Sequence, residues 1–268
     1  MCVNKSTKIL NRLQSDYEYV EGLGYTVLGV FLQGSQNYGL DYEGSDIDTK
    51  CIILPKFEEF CLNKKPASTT LILPSNEHID VKDIRLMFEC FKKQNINFIE
   101  ILFTDYKIIN PLYEDLFALM LDNAEQIARY NDFAALRCMV GMSMEKYKAL
   151  EHRYPTLIDK IDKYGYDPKQ LHHIARLDEF IERYIRGDKY KECLHSNIAD
   201  YLIDIKRGKY TLDEARDMAK KMTEHTTKLK EDYMAANSTP KINSEVEDII
   251  NTVLVETLKR SFKNEVNT

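Results

Sequence analysis

Two aspartates separated by one residue follow a glycine-serine turn in the segment FLQGSQNYGLDYEGSDIDTKCIIL. An apolar strand is expected to end at Gly34-Ser35, and a second strand is expected to begin with Asp46 and Asp48. Residues two apart share one face of a strand, so both carboxylates would project side by side. A divalent cation such as magnesium relieves their mutual repulsion and leaves coordination positions for phosphate oxygens. The spacing therefore predicts a metal site that could receive a phosphate.

The turn itself has features of a phosphate-binding loop. Gly34 would let backbone N–H groups approach a phosphate closely, and the Ser35 hydroxyl could donate a hydrogen bond to it. A D-x-D pair on its own is more often two solvated acids in a loop. Here the pair stands at the head of the apolar run CIIL, and Ile47 would point to the opposite face. This combination favours the binding site over the solvated loop.

The first 110 residues supply a mixed set of elements around this segment. Helical spacing predicts a helix over residues 5–22. Runs rich in β-branched and aromatic residues predict strands over 25–32, 46–54, 69–73 and 78–81. From Lys82 the period changes to that of an amphipathic helix, whose apolar side carries Ile84, Met87, Phe88 and Phe91.

Beyond residue 111 the sequence is almost wholly helical. Apolar periodicity predicts helices over 112–121, 131–152, 168–186, 190–206, 211–234 and 244–262. Capping-box patterns at Thr211–Glu214 and Ser244–Glu247 mark the starts of two of them. The predicted fold class is α+β, with a mixed α/β domain over residues 1–110 and a helical domain over residues 111–268.

Composition limits the classes of protein to which the chain could belong. It has 268 residues, of which 44% are hydrophobic, and a formal net charge of -6. A surface of this sign repels polyanions on average, so any contact with nucleic acid must be local or must use bound metal. The six cysteines are scattered without zinc spacing and are expected to be reduced, mostly buried thiols. With no apolar run that could span a bilayer and no signal-peptide core, we expect a cytoplasmic protein that does not enter the membrane.

The motif resembles that of the polymerase-beta-like nucleotidyltransferase superfamily: G-S, about ten loop residues, then D-x-D entering a strand. The resemblance implies a nucleotidyltransferase-type mixed sheet flanked by helices, with a third carboxylate on a later strand. EHIDVKD offers Asp80, with Glu77 and Asp83 as rivals, and Asp83 better suits the first helical turn. Asp46, Asp48 and Asp80 would then be both the catalytic residues and the ligands of two magnesium ions, which manganese could replace.

Within that superfamily the chain is similar to RlaP-type proteins, an RNA-repair-associated family of bacteria and phages. The likeness covers about residues 26–190 and rests on GSQNYGLDYEGSDID, IDVKDIRLMFECFKKQNINFIEILFT and YGYDPKQLHHIARLDEFIERYIRG. One departure is Gln36, where the family often carries a basic residue, which puts phosphate affinity at that position in doubt.

A polar stripe on the helix predicted over 168–186 is a second candidate site. Lys169, His172, His173 and Arg176 follow helical spacing, while Leu171, Ile174, Leu177 and Ile181 lie largely on the other side. The stripe would either line the cleft and bind a triphosphate or acceptor phosphate, or form a solvated face. Tyr38, in the Gly-Ser loop, would either stack on a base or ribose or pack as a loop aromatic.

The resemblance implies transfer of a nucleoside monophosphate from a nucleoside triphosphate to a hydroxyl, with release of pyrophosphate. Nucleic-acid ends, protein hydroxyls and small molecules are all open as acceptors. A non-catalytic nucleotide-binding module of the same fold is the alternative from another class, although a pure binder gains little from crowded acids. A helical interaction protein is a third reading, and it predicts no magnesium-dependent nucleotide binding.

Overall fold

A computed structural model describes residues 4–42, 45–74 and 77–267. The predicted α+β class is confirmed, because a mixed sheet with flanking helices is followed by a helical C-terminal half. The helices are α1 (Lys5–Gly22), α2 (Ser35–Tyr38), α3 (Phe57–Cys61), α4 (Ile84–Lys92), α5 (Ile96–Ile99), α6 (Glu114–Asp122), α7 (Ala124–Ala128), α8 (Asp132–Ala149), α9 (Ile158–Tyr164), α10 (Pro168–Arg186), α11 (Tyr190–Leu194), α12 (Ala199–Lys206), α13 (Leu212–Ala236) and α14 (Ser244–Asn267).

The chain divides into two compact units. The first, the sheet unit, comprises Met1–Asn37, Glu43–Tyr130 and Ile242–Thr268, and the second, the helical unit, comprises Tyr38–Tyr42 and Asn131–Lys241. This division differs from the boundary predicted at residues 110 and 111, because helices α6, α7 and α14 belong to the sheet unit. Arg260 on α14 donates to both oxygens of Asp115 on α6 at 2.7 and 2.9 Å, an example of the contacts that hold these helices together.

Five strands form the sheet of the first unit: β1 (Thr26–Gln33), β2 (Asp48–Leu54), β3 (Ser68–Ile72), β4 (His78–Asp83) and β5 (Lys107–Ile109). Their order is β3-β4-β2-β1-β5, with β2 and β4 parallel and the other neighbours antiparallel. The four predicted strands are all present. Strand β5 was not predicted, since three residues are too few to show a period of two.

Helix α1 covers one face of the sheet. Its buried residues Ile9, Leu13 and Val20 pack with alternate residues of β1, β2 and β4, among them Leu32 and Cys51. Helix α4 buries the four residues predicted for its apolar side. It begins at Ile84 rather than Lys82, because β4 continues to Asp83, whose carboxylate accepts from the backbone N–H of Arg85 as the N-cap.

The helical unit is built from α8, α10, α12 and α13, with α10 in contact with the other three. Helix α10 has the predicted bounds, and Leu171, Ile174, Leu177 and Ile181 are buried as predicted. The helix predicted over 190–206 is instead divided into α11 and α12. Glu179 accounts for the break, because its carboxylate accepts from the Ser196 hydroxyl and from the backbone N–H of Asn197, which draws these residues out of the helical path.

Two further predictions concern helix caps and cysteines. The capping box at Thr211 and Glu214 is formed. At the start of α14 the side chain of Asn243 accepts from the N–H of Glu245, in place of the predicted Ser244–Glu247 box. The described cysteines are thiols rather than disulfides, although only Cys51 and Cys193 are buried, and Cys2 lies outside the described ranges. None of the helices in those ranges is long and apolar enough to cross a membrane.

Candidate active site

Gly34 and Asp48 lie against each other at the end of the β1–β2 pair. The antiparallel register places Gln33 opposite Asp48, so the chain turns at Gly34 directly beside this aspartate. Gly34 has a φ of +75°, and a Cβ at this position would lie 3.0 Å from the Oδ2 atom of Asp48. Glycine is required here both by the left-handed backbone and by the space that the carboxylate occupies.

The loop after Gly34 is held by two hydrogen bonds within the sheet unit. The backbone N–H of Asn37 donates to the Gly34 carbonyl at 3.0 Å, which closes the first turn of α2. The amide Nε2 of Gln36 donates to the carbonyl of Ser45 at 3.4 Å, just before the aspartate pair. Gln36 therefore links the two ends of the loop. Glu43 and Gly44 of the motif lie outside the described residues.

Asp46 and Asp48 stand at the entrance to β2. Asp48 is the first residue of the strand and is half-buried, whereas Asp46 precedes the strand and is exposed. Ile47 is buried in the core against helix α1, on the face opposite Asp48, as predicted. Asp48 thus sits beside Gly34, and both acids have access to solvent.

The next residue of β2, Thr49, fastens the strand to helix α1. Its hydroxyl donates to Asp16 Oδ2 at 2.6 Å, and Arg12 Nε donates to the other oxygen of this carboxylate at 2.8 Å. Burial raises the pKa of Asp16, while the bonds from Thr49 and Arg12 oppose that rise. This contact fixes the strand immediately beside Asp48.

Asp80 lies on the same face of the sheet as Asp48, in the neighbouring strand. The parallel register pairs Lys50 of β2 with Asp80 of β4, and Lys50 is two residues beyond Asp48. Lys50 Nζ donates to Asp80 Oδ2 at 2.6 Å, and Lys82 Nζ contacts Asp80 Oδ1 at 2.7 Å. Both carboxylate oxygens of Asp80 therefore accept from ammonium groups.

The environment of these charges accounts for their pKa values. Burial lowers the pKa of Lys50, and the Asp80 carboxylate opposes that effect. Burial would raise the pKa of Asp80, but Lys50 and then Lys82 bring it below the ordinary value. The Lys50 ammonium, 2% exposed as a residue, also lies 4.4 Å from the centre of the Phe98 ring. Asp80 is thus held as a carboxylate between two cations.

Sequence reasoning did not identify Lys50 or Lys82 as neighbours of the site. The available signal was the period of two, because Lys50 continues the Asp46, Asp48 series and Lys82 follows Asp80 on the same face. The rivals of Asp80 are placed elsewhere. The Glu77 carboxylate pairs with Arg12, and Asp83 is the buried N-cap of α4 rather than a residue of its first turn.

The donor set suits a divalent cation at two of the three predicted ligands. Asp46 and Asp48 are hard oxygen donors with solvent access, and Gly34 leaves the space that Asp48 uses. Asp80 does not join them as arranged, since both its oxygens hold ammonium groups. Across residues 4–42, 45–74 and 77–267, no cluster of three or more His, Cys, Asp or Glu side chains is arranged to hold a metal ion.

The predicted stripe of helix α10 does not act as one charged surface within the helical unit. Lys169 is exposed, whereas His172 is buried and its Nδ1 lies 3.0 Å from the carbonyl of Leu202 on α12. Burial lowers the pKa of His172 to about 4 and holds that of His173 well below its ordinary value. Both imidazoles are therefore neutral near pH 7. Only Lys169 and Arg176 of the stripe bring positive charge, and His172 serves the α10–α12 packing rather than phosphate binding.

Tyr38 belongs to the helical unit, where it packs against Arg176. Its side chain is buried, and the guanidinium carbon of Arg176 lies 3.7 Å from the centre of its ring. This is a cation–π contact over one face of the ring. Of the two roles open for Tyr38, the geometry favours the packed loop aromatic.

Comparison with known proteins adds one structural likeness. No protein-family model matches the chain, and no curated protein matches it. Among solved structures it is similar to a nucleotidyltransferase-like protein from Exiguobacterium sibiricum 255-15, with 11% sequence identity and a TM-score of 0.31, over 82% of this chain and 77% of that chain.

Proposed function

We propose that the chain is a magnesium-dependent nucleotidyltransferase. It would move a nucleoside monophosphate from a nucleoside triphosphate to a hydroxyl acceptor and release pyrophosphate. The observation that carries the proposal is the close approach of Asp48 to Gly34, with the exposed Asp46 two residues before Asp48 in the sequence. A tight glycine turn next to one carboxylate of an accessible aspartate pair suits a phosphate held through a divalent cation.

The reaction forms one P–O bond, breaks another, and moves the proton of the acceptor hydroxyl to a base, for which Asp80 is the candidate. The acceptor oxygen would attack the α-phosphorus, the bond from that phosphorus to the bridging oxygen would break, and pyrophosphate would leave with the electron pair. When bound, magnesium neutralises phosphate charge and lowers the pKa of an attacking hydroxyl. Asp46 and Asp48 would hold the cation, while Gly34 and Ser35 would place backbone and hydroxyl donors near the phosphates.

Asp80 has a more specific part in this proposal. Its pKa is below the ordinary value between Lys50 and Lys82, so it is a weak base in the arrangement described. To become a third metal ligand or to take the acceptor proton, it must release at least one ammonium partner. We propose that a Lys50 or Lys82 ammonium would pass to a phosphate oxygen of the bound substrate and so release the Asp80 carboxylate.

The same ion pairs favour a second candidate function. A carboxylate that stays bound to Lys50 and Lys82 supplies no metal ligand, and the chain would then bind a nucleotide through Asp46 and Asp48 without transferring it. This is the non-catalytic nucleotide-binding module. It shares magnesium-dependent binding with the enzyme and differs from it in the absence of product.

The class of molecule that supplies the acceptor hydroxyl is a separate part of the proposal. The likeness of residues 26–190 to RlaP-type proteins supports a nucleic-acid end as the acceptor. A protein hydroxyl is the other acceptor that suits an acidic chain, whose net charge is -6. The assay must therefore offer both classes.

Transfer of an α-labelled nucleotide tests the function directly. The chain is incubated with each of the four α-labelled triphosphates, magnesium, and RNA, DNA and protein acceptors. The Asp46→Asn/Asp48→Asn double variant should lose almost all transfer. The control variant Asp213→Asn/Asp217→Asn, on the exposed surface of α13, removes the same amount of charge and should keep the transfer activity.

A thermal-shift measurement with and without magnesium separates the candidate functions. Stabilisation by a triphosphate that requires magnesium, together with label transfer, supports the enzyme. Stabilisation without transfer to any acceptor supports the binding module. Equal behaviour of the Asp46→Asn/Asp48→Asn variant and the parent in both assays would reject the site.

A further inference from the structure

Four lysines gather at one hollow of the helical unit, which we name the lysine hollow. It lies between helix α9, the start of α10 and the end of α12, and its volume is about 380 Å³. That volume is in the range of sites that bind small ligands or part of a longer one. The charged residues of its lining are Lys160, Lys163, Lys169, Lys206, Asp159 and Asp167.

The lysines outnumber the acids of the lysine hollow, and one of the acids is already engaged. Asp167 is buried, and its carboxylate accepts from the backbone N–H of Lys169 and from Gln170 Nε2, both at 3.0 Å. Its charge serves the start of α10. Within the lining, four lysines thus stand against two acids, one of which serves the helix start. In a chain of net charge -6, such a local excess of positive charge indicates an anionic ligand.

Aromatic rings accompany these cations. The Tyr42 side chain is 40% exposed and lines the lysine hollow, with Lys206 Nζ at 4.9 Å and Arg207 Cζ at 5.9 Å from its ring centre. Lys163 Nζ lies 4.7 Å from the ring centre of Tyr164, which also lines the hollow. Rings beside cations form the combination that binds single-stranded nucleic acid, because bases stack on the rings while phosphates meet the cations.

We propose that the lysine hollow binds a single-stranded polynucleotide, with phosphates at the lysines and a base stacked on Tyr42. Binding of a strand at the lysine hollow does not depend on the proposed transfer of nucleotides. Tyr42 belongs to the same loop as Ser35 in the sequence, between the glycine-serine turn and the aspartate pair.

Fluorescence anisotropy with a short, labelled single-stranded RNA of mixed sequence tests the site. The full chain is used, with EDTA present and triphosphate absent, so that binding is measured apart from transfer. Lys160→Gln/Lys163→Gln should weaken binding roughly tenfold and reduce the salt dependence of log K by about 1.4. Lys221→Gln/Lys228→Gln, on the exposed surface of α13, removes the same charge and should leave both quantities unchanged.

A second pair of variants examines stacking. Tyr42→Ala should weaken binding roughly tenfold, while Tyr42→Phe keeps the ring and should bind like the parent. Competition with inorganic tripolyphosphate distinguishes a polynucleotide from the polyphosphate of a free nucleotide. Tripolyphosphate should displace the RNA far less well than unlabelled RNA at equal phosphate concentration.

Three outcomes would overturn the inference: no binding by the parent, equal loss in the α9 and α13 lysine variants, or displacement by tripolyphosphate as effective as by RNA. The failure of the proposed function is a separate result. Asp46→Asn/Asp48→Asn should bind the RNA at least as tightly as the parent while transferring no nucleotide. If the parent transfers a nucleotide to a protein acceptor but binds no RNA, the RNA site at the lysine hollow is rejected and the proposed function stands.

Discussion

Lys50 Nζ donates to Asp80 Oδ2 over 2.6 Å, and the parallel register of β2 and β4 makes the two residues direct neighbours. The pair joins the strand that carries the aspartate motif to the strand that carries the proposed third acid. The Lys50 side chain is 3% exposed and that of Asp80 is 21% exposed. The buried Lys50 ammonium therefore needs the Asp80 carboxylate as its counter-charge, whereas the more exposed Asp80 carboxylate is also stabilised by solvent.

This asymmetry predicts unequal costs of removing the partners. Asp80→Asn leaves the buried Lys50 ammonium without a counter-charge and should lower the free energy of unfolding by about 3 kcal/mol. Lys82→Met leaves Asp80 paired with Lys50 and should cost about 1 kcal/mol. Urea denaturation at pH 7 measures both. Equal losses in the two variants would show that Lys50 does not depend on Asp80.

The approach of Gly34 to Asp48 predicts a site-specific effect of a methyl group. Gly34→Ala adds a Cβ that would lie 3.0 Å from Asp48 Oδ2, and it also places alanine at a φ of +75°. The left-handed backbone should cost about 1–2 kcal/mol. Displacement of the carboxylate should reduce nucleotide transfer roughly a hundredfold. The measurements are urea denaturation and the α-label assay.

Gly39 offers a matched control for this substitution. Its φ is +70°, but a Cβ there would meet nothing within 4 Å. Gly39→Ala should therefore have a similar loss of stability and keep most of the transfer activity. If both variants lose transfer equally, loop strain rather than the position of Asp48 is responsible.

The anchor between β2 and α1 predicts a loss of stability on removal of one hydroxyl. Thr49→Val keeps the shape of the side chain but leaves the buried Asp16 with one hydrogen-bond donor fewer. We expect a loss of about 1–3 kcal/mol in urea denaturation. Thr70→Val, on the exposed strand β3, is the control and should change stability little. A loss no larger than that of the control would mean that the bond does not stabilise the strand.

Strands β1 to β4 were predictable because each contains a run rich in β-branched and aromatic residues, whereas the three residues of β5 are too few to form such a run. The salt bridge of Asp80 was not predictable, because it depends on which strands become neighbours. Lys50 and Asp80 are thirty residues apart, and their pairing follows from the parallel register of β2 and β4. A register between separate strands leaves no mark in either strand alone. The carboxylates could therefore be nominated from the sequence, and the period of two places Lys50 and Lys82 on the same strand faces, but the pairing of Lys50 with Asp80 also requires the strand order.

In the helical half, too, the sequence predicted some features and could not predict others. Helix α10 was predictable to its ends because Asp167 caps it and Gly187 ends it. The break between α11 and α12 depends on Glu179, which is distant in sequence, and no proline or glycine within 190–206 marks it. His172 lies on the polar side by spacing, yet α12 covers it. Tertiary packing, and not the helical period of the sequence, decides which polar face of a helix is covered by another helix.

The buried state of His172 predicts a stability that depends on pH. Its pKa is about 4 in the folded chain and near 6.5 when unfolded, so the unfolded chain takes up its proton first. The free energy of unfolding should therefore fall as the pH falls from 6.5 towards 4, by about 3 kcal/mol from this group. His172→Gln should show a weaker pH dependence in urea denaturation, while His152→Gln, at an exposed position, should follow the parent. Parallel curves for His172→Gln and the parent would show that the imidazole has the same pKa in the folded and unfolded chain, and thus that burial does not lower it.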